Sequence, residues 1–297
     1  MRKVIFLVQD DRCGATFMLG KMVKHGLDHF NIENEVVHIN NFTEEFSALD
    51  NIKDSLIFIF KHVPHKIALK KIKENNNKLI MDVVDEFVRP NTTPEDLYSY
   101  DFFDGIIVRA NKILEDYTFP SHLETINIPH HWDIRLQNLD TSKKTINKPM
   151  VTINDGRDMP YLKTLLKENH VEYIGNFSYQ EFAQLTDKLN SYTSCYNVRS
   201  TDSAAYKFKP ATKLVTSAAL DIPIITNYDW AVQDLLPSDY PFLIEGKNYG
   251  EIVNTISTFP EPGSKEHKYA LDILKDVKSK TAMINLIPQY EEFYKRF

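Results

Sequence analysis

The chain has few cysteines and no long hydrophobic run, and each absence excludes a class of protein. Cys13 and Cys195 are the only cysteines among 297 residues, too few for a disulfide framework, and no Cys/His cluster has the spacing of a zinc site. No stretch approaches the roughly 20 apolar residues of a membrane span, and the apolar run after Met1 is too short for a signal peptide. We therefore expect a soluble, cytoplasmic protein with no integral membrane segment and no metal site.

Positive charge is also scarce. The 35 lysines and arginines are outnumbered by 41 aspartates and glutamates, which leaves a formal net charge of -6. Because nucleic-acid binding needs a basic face that neutralises phosphates, this balance argues against a nucleic-acid partner, although it leaves room for one local basic pocket. Hydrophobic residues make up 42% of the chain and aromatic residues 12%, enough to bury a substantial core instead of remaining disordered.

Short apolar runs alternate with helical segments along the chain, in two series. The runs that predict strands are 4–8, 35–39, 55–60, 78–84, 105–110 and 124–128, and then 150–154, 171–175, 195–199, 223–227 and 241–245. Such alternation predicts parallel sheets covered by helices on both faces. The polar segment 137–149 separates the two series and is the expected linker. The sequence therefore predicts an α/β protein with two Rossmann-like, doubly wound domains, 1–136 and 150–263, followed by a helical segment, 264–297.

The segment from Arg199 to Asn227 combines a basic, hydroxyl-rich loop, a helix start and a buried strand. Pro210 suits the first turn of a helix, where its missing N–H costs nothing. A helix start with free backbone N–H groups can hold an anion such as a diphosphate, and basic residues flank this one: Arg199, Lys207, Lys209 and Lys213. The alternative interpretation is a solvated basic helix start.

Residues 209–225, KPATKLVTSAALDIPII, resemble the donor-half signature of GT-B glycosyltransferases. In that superfamily a Lys-Pro-x-x-Lys stretch opens a helix whose start holds the diphosphate of a nucleotide-sugar. The resemblance implies two domains that face a cleft, with segment 264–297 packing back on the N-terminal domain. It also implies a nucleotide-sugar donor, which is a substrate and not a cofactor, and a glycan or glycoconjugate acceptor.

The resemblance and the positions that follow predicted strands together assign residues to the donor. Asn154 to Arg157 resemble the Gly-Arg turn of GT-B donor domains, whose arginine offers planar, paired donors to phosphate oxygens; the alternative is a surface turn. Gly14, after the first strand, lets the backbone approach a ligand, or merely relieves a tight turn. The residues expected at the donor diphosphate are Arg157, Arg199, Ser200, Thr201, Lys209, Thr212, Lys213 and Gly14. Those expected at the nucleobase are Gly175, Asn176 and Phe177.

Acidic and histidine residues follow the predicted strands of the first half, where ligands of open parallel sheets bind. Transfer with inversion needs a base that takes the proton of the acceptor hydroxyl. The candidates are Asp85, Glu86 and Asp11, each of which is alternatively a solvated loop carboxylate. The residues expected on the acceptor side are His62, His65 and His130. The first two alternatively pack or cap a helix, and His130 lies in PHHWD, which resembles the segment before the GT-B interdomain linker.

Two patterns of other glycosyltransferases are missing. No Asp-x-Asp sequence occurs, which argues against the metal-dependent GT-A class. No glutamate lies between Glu181 and Glu245, so the glutamate pair of the common retaining GT-B families is absent. The sequence thus predicts a metal-independent hexosyl- or pentosyltransferase. The alternative is a non-catalytic, two-domain binding protein for a sugar phosphate or nucleotide.

Overall fold

The computed structural model of the protein describes residues 2–8, 14, 16–39, 47–60, 64, 66–84, 100–142, 144–152, 168, 171–174, 188–199, 207–245 and 249–297. The chain divides into two compact units. The first contains Met1–Pro129, Phe208–Pro210 and Met283–Phe297, and the second contains His130–Lys207 and Ala211–Ala282. Each unit has its own parallel sheet. Among the described helices, none is long and apolar enough to cross a membrane.

The sheet of the first unit has six parallel strands in the order β2-β1-β3-β4-β5-β6. The strands are β1 Lys3–Val8, β2 Asn34–His38, β3 Ser55–Phe60, β4 Lys78–Asp82, β5 Gly105–Val108 and β6 Glu124–Asn127. Every residue of β3, SLIFIF, is buried, as expected for a central strand covered on both faces. The chain passes from β1 to β2 on one side and then returns to β3 on the other, so the strand order reverses between β1 and β3.

Helices of the first unit come from both ends of the chain. The described ones are a π-helical turn Thr16–Met22, α1 Val23–His29, α2 Ser47–Asp50, α3 Lys66–Glu74, the 3-10 turn Tyr100–Phe102, α4 Asn111–Asp116 and the C-terminal helix Met283–Tyr294. The C-terminal helix lies so close to α1 that a Cβ atom on Gly26 would approach Ile287 Cδ1 to 2.6 Å. Its Tyr294 ring also packs on Phe58 of β3, with centroids 5.0 Å apart. Residues Met283–Phe297 are therefore part of the first unit's core.

The sheet of the second unit has five parallel strands in the order β11-β10-β9-β7-β8. The strands are β7 Ile146–Thr152, β8 Glu172–Ile174, β9 Tyr192–Asn197, β10 Ile224–Asn227 and β11 Leu243–Ile244. The described helices are the 3-10 turn Ile134–Leu136, α5 Thr212–Ala219, α6 Trp230–Gln233, α7 Tyr249–Ser257 and α8 Lys265–Lys280. We number the C-terminal helix of the first unit, Met283–Tyr294, α9. The strand order of this sheet reverses between β7 and β9.

The predicted class, α/β with two doubly wound parallel sheets, is confirmed. The boundary between the two series of strands differs from the one expected from the sequence. Strand β7 begins at Ile146, inside the segment 137–149 expected as a linker, and its pairing with β9 is irregular between Ile146 and Pro149. Proline has no N–H for the ladder, so a strand that contains one needs such an irregularity. The division between the two units falls after Pro129.

Candidate functional site

The carboxyl edge of the second sheet is the candidate site. Ligands of open parallel sheets bind beyond the carboxyl ends of the strands, at the point where the strand order reverses. That point lies between β7 and β9. Arg199 follows β9 by two residues, whereas Arg157 comes five positions after β7 in sequence and lies outside the described residues. Among the described residues, Arg199 therefore lies at this edge of the sheet, and the place of Arg157 there stays a prediction.

The backbone of Arg199 is held by the side chain of Asn227, the last residue of β10. The Arg199 N–H donates to Asn227 Oδ1 at 2.9 Å, and Asn227 Nδ2 donates to the Arg199 carbonyl oxygen at 2.7 Å. Asn227 is only 1% exposed and both hydrogen bonds are part-buried, so water has little access to the carboxamide. The carboxamide fixes the position of Arg199 just beyond the end of its strand.

The guanidinium of Arg199 is held by a second residue of the same turn. Its Nη1 donates to Asp229 Oδ2 at 3.3 Å, and the two side chains are 12% and 5% exposed. Asp229 also caps α6, because its Oδ1 accepts from the Val232 N–H at 2.9 Å. Burial raises the pKa of the Asp229 carboxyl above its ordinary value, and the charge of Arg199 opposes that shift. Arg199 is thus an ordered, largely buried cation at the edge of the sheet.

Helix α5 begins at the same edge, because it follows the loop after β9 and precedes β10. Its N-cap is Ala211, so no side chain caps it, and its first turn has no acidic residue. The first N–H groups of a helix have no partner within the helix, and their dipole favours an anion. Thr212 and Lys213 in this first turn are half-buried. This helix start has the local properties of an anion site.

The neighbouring lysines are placed differently from one another. Lys207 Nζ lies 4.9 Å from the centroid of the Trp230 ring, a cation–π distance. Lys209 is half-buried and belongs to Phe208–Pro210, which is part of the first unit. Within the second unit, the described basic groups expected at the diphosphate are therefore Arg199 and Lys213.

Gly14 and His130 are also described. Gly14 is half-buried and follows β1, beside the reversal of strand order in the first sheet. His130 is 5% exposed and belongs to the second unit. Its ring meets that of His131 edge to face, with centroids 5.1 Å apart. This is the environment of a packed histidine, and its acceptor-side role stays a prediction.

Eleven predicted site residues lie outside the described part of the chain. They are Asp11, His62, His65, Asp85, Glu86, Arg157, Gly175, Asn176, Phe177, Ser200 and Thr201. Strands β1, β3, β4, β7, β8 and β9 precede them in sequence, and each of these strands is described. Their roles stay predictions.

The carboxyl edge of the first sheet contains an ion pair that the sequence did not indicate. Arg109, after β5, donates through Nε to Oδ1 of Asp82 at 3.0 Å, and its Nη2 also contacts that carboxylate. The Nη1 atom donates to the carbonyl of Ile128 at 2.8 Å. Arg109 is 2% exposed and Asp82 is 3% exposed. Because the carboxylate is committed to this pair, Asp82 is a structural residue and not a base facing solvent.

Sequence reasoning also missed Asn227 and Asp229. The sequence could have indicated them, because both follow the apolar run IIT in the segment IITNYD. Polar residues that come directly after a buried strand lie at the edge of a parallel sheet where ligands bind. Their partner, Arg199, is 28 positions from Asn227 and 30 from Asp229. Only the folded chain shows that they meet it.

No protein-family model and no curated protein matches this chain in sequence. Solved structures do match it in fold. Anabaena Alr3699/HepE in complex with UDP and glucose is 14% identical with a TM-score of 0.67, and the match covers 100% of both chains. AviGT4, a glycosyltransferase involved in avilamycin A biosynthesis, is 10% identical with a TM-score of 0.63 over 100% of this chain and 98% of its own. The trehalose-6-phosphate synthase OtsA is 8% identical with a TM-score of 0.64 over 99% of each chain. The chain therefore has the GT-B fold of glycosyltransferases, as segment 209–225 predicted.

Proposed function

We propose that the protein is a metal-independent glycosyltransferase. It moves a sugar, a hexose or a pentose, from a nucleotide-activated donor to a hydroxyl group of a glycan or glycoconjugate. The observation that carries the proposal is Arg199, held at the carboxyl edge of the second sheet from which helix α5 also starts. The likeness to HepE, whose structure contains UDP and glucose, supports a nucleotide-sugar as the donor.

The chemistry requires stabilisation of a departing diphosphate. As the acceptor oxygen bonds to the anomeric carbon, the bond from that carbon to the diphosphate breaks and negative charge grows on the leaving group. Fixed cations and backbone N–H groups stabilise this charge better than water does, because they are oriented in advance. Arg199, Lys213 and the start of α5 serve this role in our proposal. Their predicted partners are Arg157, Ser200, Thr201, Lys209, Thr212 and Gly14.

The acceptor hydroxyl must lose its proton as its oxygen attacks. We assign this step to a carboxylate of the first unit, Asp85, Glu86 or Asp11, each of which follows a described strand of the first sheet. Asp82 is excluded by its ion pair with Arg109. The acceptor is expected to meet His62, His65 and His130, and the nucleobase to meet Gly175, Asn176 and Phe177.

A second candidate function is binding without catalysis. It is favoured by the absence of any glutamate between Glu181 and Glu245. In that case the same basic edge holds a sugar phosphate or a nucleotide, and no sugar is transferred.

The test is a screen of purified protein against a panel of nucleotide-sugars. A ligand at 100 times its Kd adds about 2.7 kcal/mol to stability and therefore raises the Tm. We expect at least one donor to raise the Tm and to release its nucleoside diphosphate when acceptors are added, with both effects weakened in Arg199→Ala. Stabilisation without release or transfer supports the binding protein. No stabilisation by any nucleotide-sugar contradicts the transferase, and no stabilisation by nucleotides or sugar phosphates in the same assay contradicts the binding protein.

A further inference from the structure

We propose that Asn227 is a positioning residue for the donor diphosphate, because its carboxamide holds the backbone of Arg199 at the edge of the second sheet. The inference deepens the proposed function and rests on the role of Arg199 in it. Asn227 acts through Arg199 and does not itself contact the donor.

The backbone pairing of β9 with β10 ends before Arg199, so a side chain is needed to bind the backbone of Arg199. The register joins Ile224 to Cys195, Ile225 to Tyr196 and Thr226 to Asn197, so Arg199 lies beyond the last of these pairs. Both backbone groups of Arg199 are instead bound by Asn227, at 2.9 Å and 2.7 Å. The carboxamide therefore replaces a strand partner and extends the ordered edge of the sheet to Arg199.

The chemistry of the amide suits this task. A carboxamide has one acceptor oxygen and two N–H donors, and the Arg199 backbone presents one N–H and one carbonyl oxygen. A carboxylate offers only acceptors, a hydroxyl is too short to span both groups, and an apolar side chain offers neither. Loss of the amide leaves the part-buried N–H and carbonyl oxygen of Arg199 without these hydrogen bonds, which costs stability unless water replaces the amide.

The turn after β10 brings a second contact to the same arginine. The Asp229 N–H donates to the Asn227 carbonyl oxygen at 3.0 Å, which tightens the turn, and Asp229 Oδ2 accepts from Arg199 Nη1 at 3.3 Å. Asn227 thus sets the backbone of Arg199 and Asp229 sets its guanidinium. A cation ordered in advance binds a diphosphate without losing further side-chain freedom, which is the origin of the expected gain in affinity.

The experiment is a double-mutant cycle on the full chain, with UDP as the probe and Kd measured by titration calorimetry. We expect Asn227→Ala and Arg199→Ala each to raise the Kd for UDP by roughly tenfold or more. If Asn227 acts through Arg199, the double variant binds UDP no more weakly than Arg199→Ala alone. Losses that multiply in the double variant overturn the proposal.

Asn77 provides a matched control in the first unit. It is 2% exposed, its Nδ2 donates to the carbonyls of Ile52 and Ile72, and its Oδ1 accepts from the Ser55 N–H. Asn77→Ala therefore removes the same kind of buried amide and destabilises the fold, but should leave the Kd for UDP unchanged. An equal loss of affinity in this variant means that general destabilisation, and not the position of Arg199, explains the result at Asn227.

Failure of the inference and failure of the proposed function give different results. If Arg199→Ala weakens UDP binding and Asn227→Ala does not, the function stands and the positioning role is wrong. If Arg199→Ala leaves the Kd unchanged, the donor site itself is wrong. Should Asn227→Ala not fold, Asn227→Ser retains a small polar side chain that cannot span both backbone groups, and the same cycle is measured with it.

Discussion

Arg109 Nη1 donates a hydrogen bond to the hydroxyl oxygen of Tyr290 at 3.2 Å, although 181 positions separate the two residues. The same guanidinium pairs with Asp82 at the end of β4. Tyr290 is 1% exposed and lies on α9, so the C-terminal helix completes a buried polar network at the carboxyl edge of the first sheet. The first unit therefore depends on the last residues of the chain for its stability.

Tyr290→Phe tests this network, because it removes only the hydroxyl. A buried hydrogen bond to a charged group contributes about 1.5–3 kcal/mol, so we expect the free energy of unfolding to fall by that amount in urea titrations. Tyr269→Phe is the control: its hydroxyl also contacts a carboxylate, that of Asp239, but Tyr269 is 44% exposed and the change should stay within about 0.5 kcal/mol. Equal losses in the two variants contradict the network's importance.

Gly26→Ala tests the close contact of α1 with α9. The added Cβ would lie 2.6 Å from Ile287 Cδ1, and such overpacking costs about 1–3 kcal/mol, partly offset by the better helix propensity of alanine, about 1 kcal/mol. We expect a net loss of stability in urea. Combining it with Ile287→Ala should destabilise less than the sum of the two single changes, because two of the three closest atoms, Cδ1 and Cγ1 of Ile287, are then absent and only Met283 Cγ at 2.8 Å remains. Gly20→Ala, whose Cβ would meet its nearest atoms at 3.3 Å, is the milder control.

Lys144 should make stability depend on pH. Burial lowers the pKa of its ammonium group to about 8, with Asp221 opposing the shift and Lys278 adding to it. At pH values between about 8 and the ordinary pKa of 10.5, a larger fraction of the Lys144 amine is protonated in the unfolded chain than in the folded protein. The contribution of Lys144 to the free energy of unfolding therefore rises as pH increases through this window.

The measurement for Lys144 is a series of urea titrations across that pH window. Lys144→Met removes the amine and its hydrogen bonds to Asn190 Oδ1 and the Leu220 carbonyl oxygen, and should lose the rise. Lys275→Met, at an exposed lysine paired with Asp272, should keep it. A rise that persists in Lys144→Met assigns the pH dependence to another group.

Lys213→Ala and Arg157→Ala should each weaken the binding of UDP. Each removes a cation expected at the diphosphate, and losing a charge-assisted hydrogen bond of about 1.5–3 kcal/mol raises the Kd roughly tenfold to a hundredfold. Titration calorimetry measures the change, and unaltered Tm values show that folding is intact. Lys275→Ala, on the outer face of α8, should bind UDP like the unmodified protein. Unchanged affinity in both test variants removes these residues from the site.

Sugar transfer should survive an excess of chelator. The sequence has no Asp-x-Asp pair to hold a divalent ion, so the proposed mechanism uses cationic side chains and backbone dipoles at the leaving diphosphate. Release of nucleoside diphosphate, measured with and without EDTA, should proceed at the same rate. Loss of activity that Mn²⁺ or Mg²⁺ restores would falsify the metal-independent mechanism.

Local sequence patterns were enough to predict the strands and the helix start that define the fold class. Runs such as SLIFIF in β3 and IIT in β10 are continuous and apolar because strands of a parallel sheet are buried on both faces, and they appear where expected. The helix after Pro210 begins at Thr212. The segment before α1 is a π-helical turn, Thr16–Met22, which apolar periodicity does not separate from an α-helix.

The sequence by itself therefore determined the two βα series and the basic edge that contains Arg199. Only the tertiary structure decided which groups hold that arginine, which carboxylate is neutralised by Arg109, and that Tyr290 completes the first unit. The physical reason is the range of the interactions. Strand and helix patterns arise between residues a few positions apart, whereas these hydrogen bonds and ion pairs join residues 27 to 181 positions apart. In the sequence, several polar residues have the chemistry to pair with each arginine. Only folding selects the one that does.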